Sequence, residues 1–70
     1  MAELNELDSV VLLRNKPEHN LNRGDVGCVV AVYNEATIEV EFVDDEGKTV
    51  ALITLPNTDV LRLNVKLLAS

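Results

Sequence analysis

The chain has 70 residues, 12 acidic against 6 basic side chains, and a net charge of −6. One domain of this size buries only about 60% of its unfolded surface, so its stability is marginal, and Cys28, the single cysteine, excludes an internal disulfide staple. The acidic balance disfavours general binding to phosphate backbones, the N-terminal residues lack the cationic region of a signal peptide, and no apolar run reaches the ~20 residues of a membrane span.

The elements read as strands. Ser9–Leu13 is a short apolar run, ended by polar residues and Pro17. Residues 15–25 are rich in Asn, Pro, Gly and charge and predict a surface loop. Its last part, Arg23-Gly24-Asp25-Val26-Gly27, is a glycine-bracketed turn feeding strand two, Val26–Tyr33. Glycine at Gly24 and Gly27 tolerates backbone angles and close approaches that a side chain blocks. Thr37–Val43 is the cleanest strand: Ile38, Val40 and Phe42 alternate with Thr37, Glu39 and Glu41, so the apolar set faces a core and the acids face water. Asp44-Asp45-Glu46-Gly47 predicts a hairpin turn with Gly47 at positive φ. Lys48–Leu55 is strand four, and residues 56–59 predict a single helical or 3₁₀ turn. From Val60 towards Leu68 the chain alternates again, with Leu61, Leu63, Val65 and Leu67 on one side and Arg62, Asn64 and Lys66 on the other, which reads as a strand although the spacing partly allows a helix. Five short strands, tight turns and a long first loop predict an all-β domain, a small five-stranded Src-homology-3-like barrel. It fills residues 1–70, with a core of about 7–63 and a C-terminal extension 64–70.

Strands one, two and four are apolar on both faces, more than one small core accommodates. A large contiguous apolar patch is unusual on a soluble monomer. The expected interface is therefore Val11, Leu13, Cys28, Val30 and Val32, covered by a second copy or a partner protein; the competing expectation is that Leu4, Leu7 and the C-terminal tail fold back over that face. The charges are segregated. Arg14, Lys16, His19 and Arg23 fall in the first loop, whereas Glu39, Glu41 and the acidic turn fall in the second half. Both groups predict a surface that orients a charged partner.

Catalytic chemistry has little support. His19 and Cys28 are the only residues of their kinds, and a nucleophilic pair needs an orienting third group. Asp44–Glu46 lacks the ligand spacing of a calcium loop. Gly24 and Gly27 precede a strand, whereas phosphate loops open a helix. No catalytic residue, cofactor or metal is expected. The Arg23-Gly24-Asp25 adhesion tripeptide reads as chance in a protein without an export signal. Proline-peptide or RNA recognition needs more exposed aromatics than Tyr33 and Phe42 supply.

Leu7–Leu13, Pro17-Glu18-His19, Arg23–Gly27, Val40–Asp44, Gly47-Lys48-Thr49 and Ala51–Leu55, in that order, resemble the short bacterial proteins of domain of unknown function family 4926. The likeness runs from about Leu7 to Leu63. It implies a small Src-homology-3-like barrel and a bacterial, cytoplasmic origin, and it brings no activity or site residues. By analogy, such genes also suggest partnered pairs of the toxin–antitoxin kind. The Arg23–Gly27 turn is similar to the KOW motif of ribosomal barrels, although the acidic balance departs from the RNA-binding members. The leading expectation is a non-enzymatic protein-interaction module, self-associating or binding a partner, with an antitoxin-like neutraliser as one version. The alternatives are an RNA-associated KOW-like barrel using the first-loop cations, and an accessory subunit of a larger complex.

Overall fold

The computed structural model describes residues 4–63. Five strands follow in order: β1 (Ser9–Leu12), β2 (Val26–Val32), β3 (Thr37–Val43), β4 (Thr49–Pro56) and β5 (Val60–Arg62). Two 3₁₀ turns, Pro17–His19 and Asn57–Asp59, interrupt the connections, and no α-helix occurs among the described residues. All pairings are antiparallel, in the spatial order β4-β3-β2-β1-β5. The expected part of β5 beyond Leu63 lies outside the described residues.

The sheet is open. β4 and β5 stand at its two ends and form no ladder with each other, so the expected barrel closure is not reached. It is nevertheless strongly curled. Val10 and Leu12 of β1, Val29 of β2, Ile38, Val40 and Phe42 of β3, Ile53 and Leu55 of β4 and Val60 of β5 are buried in one cluster. Side chains from both end strands meet there, which a flat sheet does not permit. Leu21, the one large aliphatic of the first loop, completes the cluster. The loop is pinned for that purpose by the Lys16–Leu21 bridge and its hydrogen bonds of 2.9 and 3.1 Å.

Two features produce the curl. The β2–β3 register slips between Val29 and Ala31, leaving Val30 as an extra residue, and β3–β4 slips beside Val43. Such bulges bend a strand and increase its twist. Gly27 lets β2 and β3 approach closely. A Cβ there would lie 2.6 Å from Val40 Cγ1 and 2.9 Å from both the Glu41 carbonyl and Phe42 Cδ1. Gly24 meets no such crowding, but its φ of +99° requires glycine, as does Gly47 at +81°. The Gly24 turn is tied to β1 in both directions: Gly24 N–H donates to the Leu12 carbonyl and Leu12 N–H to the Asp25 carbonyl, each at 2.8 Å.

The bulge at Val30 also corrects the expected alternation of β2. Cys28 pairs with Glu41 and Ala31 with Glu39 on the outer face, but Val32 pairs with Ile38, whose side chain enters the core. Val32 therefore leaves the outer set, while remaining partly exposed near the sheet's end. The ends of the strands differ slightly from expectation. Leu13 and Tyr33 fall outside β1 and β2, and Pro56 closes β4 instead of breaking before it. In β5 the buried position is Val60; Leu61 points outward.

Candidate protein-binding face

The convex face of the sheet carries the surplus apolar side chains. On one rung, Val26 pairs with Val11 and Val11 with Leu61, so an apolar row crosses β2, β1 and β5. Val26 and Leu61 are more than half exposed, and Val11 is half-buried between them. Val43 continues the row on β3, where the outward position follows buried Phe42. On the adjacent rung stand Leu52, Glu41, Cys28 and Ser9, again by register. The face thus has an apolar end and an acidic centre.

Val26, Val43 and Val50 also line a solvent-open hollow of about 610 Å³ between the first loop and the β3–β4 hairpin. Leu21 and Phe42 form part of its floor; Asp25, Asp44, Asp45 and Glu46 form its rim. The hairpin is built by its own acid. Asp44 Oδ1 accepts the N–H groups of Glu46 and Lys48, both at 2.9 Å, which holds the turn open around Gly47. Asp25 Oδ2 likewise accepts Asn22 N–H at 2.8 Å.

In the acidic centre, Glu39 and Glu41 are half-buried and hydrogen-bonded. The Tyr33 hydroxyl donates to Glu39, and the Thr49 hydroxyl donates to Glu41. The Glu39 contact raises the Tyr33 phenol above its ordinary range: the hydrogen bond to the carboxylate contributes most, then desolvation, then charge repulsion.

The first-loop cations divide. Arg14 Nε lies 3.0 Å from Asp59 Oδ1, and Lys16 Nζ lies 2.8 Å from Asp59 Oδ2. Asp59 is the one buried charged residue among those described. Arg14 and Lys16 therefore clamp the second 3₁₀ turn to the first loop. His19, on the first 3₁₀ turn, and Arg23, in the glycine turn, remain exposed. Arg23 N–H donates to Asn15 Oδ1 at 2.8 Å, a contact that leaves its guanidinium outside the turn's own bonding.

Of the residues expected at an interface, Val11 and Cys28 lie on the outer face by register, Val30 is the partly exposed bulge residue, Leu13 is exposed just past β1, and Val32 lies on the other register face. Among the described residues, neither Leu4 nor Leu7 covers the outer face. Leu4 packs against the core and Leu7 is 81% exposed. The C-terminal tail lies outside the described residues. Sequence reasoning missed the contributions of Val26, Val43 and Leu61 to the row, and missed Asp59 altogether. The first three needed the register. Asp59 had no local signal, because its partners lie 43 and 45 positions earlier. No group of three or more His, Cys, Asp or Glu residues among those described is arranged to hold a metal ion.

No curated protein and no solved structure matches the chain. Residues 6–62 match the domain of unknown function DUF4926, a span that contains all five strands and every position of the outer face named above. The ordered motifs within residues 6–62, folded into one open antiparallel sheet, are thus those of a family domain, and the chain belongs to the DUF4926 family.

Proposed function

We propose that this is a non-enzymatic bacterial protein-interaction module of the cytoplasm, with a Src-homology-3-like arrangement. It binds a partner protein through the convex face of its sheet. The observation that carries this reading is the cross-strand row Val26–Val11–Leu61, continued by Val43 into the acid-rimmed hollow. Burying half-exposed valines and leucines is favourable at about 25 cal/mol per Å² of apolar area. The adjacent carboxylates of Glu39, Glu41, Asp44, Asp45 and Glu46 favour a partner with a basic rim around an apolar patch. A neutraliser that covers the basic active site of a toxin is one such pairing. Strand order supports the barrel relationship: β1 lies between β2 and β5, and a 3₁₀ turn precedes the last strand.

The RNA-binding alternative loses weight because Lys16 and the still exposed Arg14 both pair with Asp59, leaving Arg23 as the first-loop cation without an ion pair among the described residues. The test is affinity capture from the bacterial host, followed by binding measurements with the purified partner. Val11→Asp and Leu61→Asp should each weaken binding at least tenfold, and binding should weaken with added salt. Full affinity in both variants would reject the face as the site.

A further inference from the structure

The two ends of the open sheet are not alike. Among the described residues β5 spans three positions and carries Arg62. Short, charged edge strands resist pairing with other chains. β4 is eight residues long, Thr49–Pro56, and has no charged side chain. Its free edge follows from the hydrogen-bond alternation of antiparallel strands. Asn57 N–H donates to the Ala36 carbonyl at 2.8 Å, and the register runs on as Ile38–Leu55, Val40–Ile53 and Phe42–Ala51. Leu55, Ile53 and Ala51 therefore turn their backbone groups towards β3. Thr54 and Leu52 turn theirs away from it, and Val50, the extra residue at the slip beside Val43, falls outside that alternation. Pro56 is on the same outward set, where its missing N–H leaves the β3 ladder intact. Among the described residues, no loop or turn backbone bonds to these outward groups. The first 3₁₀ turn and Val50–Ile53 face each other across a solvent-open groove of about 610 Å³.

We infer that this edge pairs with the same edge of a second copy, antiparallel about a two-fold axis at Leu52. The segment is self-complementary in that register. Val50 falls opposite Thr54 of the second copy, two β-branched side chains of nearly equal size. Ala51 falls opposite Ile53, small against large, on the core side. Leu52 meets Leu52 on the outer face, where it is 54% exposed in the single chain. Leu52 of each copy then exchanges backbone hydrogen bonds with its counterpart at the dyad, about two in all, with the outward groups of Thr54 beside them. No charge on either strand opposes the pairing. The two-fold closes the assembly, whereas pairing β4 with β5 of another copy runs head to tail and leaves edges unpaired. The inference is independent of the proposed partner face, which the edge contact leaves uncovered at Val11, Val26 and Leu61.

The test is sedimentation velocity on the full chain at ~0.15 M salt, up to about 200 µM protein. The expected species has twice the 7.7 kDa monomer mass. Leu52→Lys should weaken association at least tenfold with an unchanged far-ultraviolet circular dichroism spectrum, because that side chain is outside the core. Val11→Lys should leave the dimer intact, which separates the edge from the face. In a Cys28→Ser background, Leu52→Cys should oxidise to a disulfide-linked dimer and Glu39→Cys should not. A monomer throughout the range, an undiminished dimer in Leu52→Lys, or a ladder of species larger than dimers would each overturn the inference. So would a full chain that dimerises only after residues 64–70 are removed, since that outcome puts the tail on the edge.

Discussion

Removing the Asp59 carboxylate tests the clamp between the first loop and the second 3₁₀ turn. The two ion pairs are unequal. Arg14 is 69% exposed and regains water when its partner is lost, so its pair is worth about 0.5 kcal/mol, in the range of surface ion pairs. Lys16 is 22% exposed, and its ammonium would stay largely desolvated beside an uncharged side chain. Breaking a fully buried pair costs about 3–5 kcal/mol. For this partly wetted site we expect about 2–3 kcal/mol for Asp59→Ala, nearly all of it through Lys16. A chain of 70 residues has a total stability of about 3.5–10 kcal/mol, so the loss is a large fraction of the whole. The melting temperature should fall by about 10–20 °C. Urea unfolding followed by circular dichroism measures the loss. Double-mutant cycles with Arg14→Ala and Lys16→Met apportion it, with a coupling of about 2 kcal/mol for Asp59–Lys16 and at most about 0.5 kcal/mol for Asp59–Arg14. Equal couplings, or a loss below about 0.5 kcal/mol in Asp59→Ala, would refute the reasoning.

Gly27→Ala should destabilise by about 1–3 kcal/mol through overpacking against Val40 and Phe42, read in the same urea experiment. Gly24→Ala has open space around it and should cost about 1 kcal/mol, from backbone strain at positive φ alone. Absorbance titration of Tyr33 should give a midpoint above the ordinary phenol value of about 10. Because the folded value is raised, the Glu39 contact stabilises fully below the unfolded phenol's pKa and is lost as pH rises through the folded one. Glu39→Gln should bring the midpoint back down, and an unchanged midpoint would separate the phenol from the carboxylate. Val26→Ala should leave the fold intact while weakening partner capture, measured beside Val29→Ala, which opens a core cavity and costs stability instead.

The alternation of Ile38, Val40 and Phe42 made β3 readable because period two has a single structural reading when one face is buried. Gly24 and Gly27 were readable as backbone necessities, though only the coordinates separate their reasons: positive φ at one, contact with Val40 and Phe42 at the other. β2 was misread at its far end. Within Val29-Val30-Ala31-Val32 any residue has the composition for a bulge, and the slip that sends Val32 to the Ile38 face has no marker in the residue types. The outer face was recognised from the surplus of apolar residues in β1, β2 and β4, but its members depend on register between strands. Val26 lies on the row because it pairs with Val11, and Leu61 because it pairs with Val11 from the other side. Leu21 had one sign, a lone leucine in a polar loop. Asp59 had none, so its pairing with Arg14 and Lys16 was not legible in the sequence.

β1 sits between β2 and β5, so the first of the described strands is complete only when the last of them arrives. The Arg14–Asp59 contact spans 45 positions, and the β1–β5 ladder joins Val10 to Arg62. During synthesis from the N-terminus, β1 can gain its β2 neighbour as soon as Val26–Cys28 emerge, but its other edge stays bare until residue 62 has left the ribosome. Loop closure over that distance must precede any reward from the contacts it makes. The order of assembly is thus built into the topology: the β2-β3-β4 meander forms from near neighbours, and β5 with the Asp59 clamp closes the fold last. A chain cut short of Asp59 would present the unpaired edge of β1, with Val10 and Leu12 beside it, to whatever chaperone or protease it meets first.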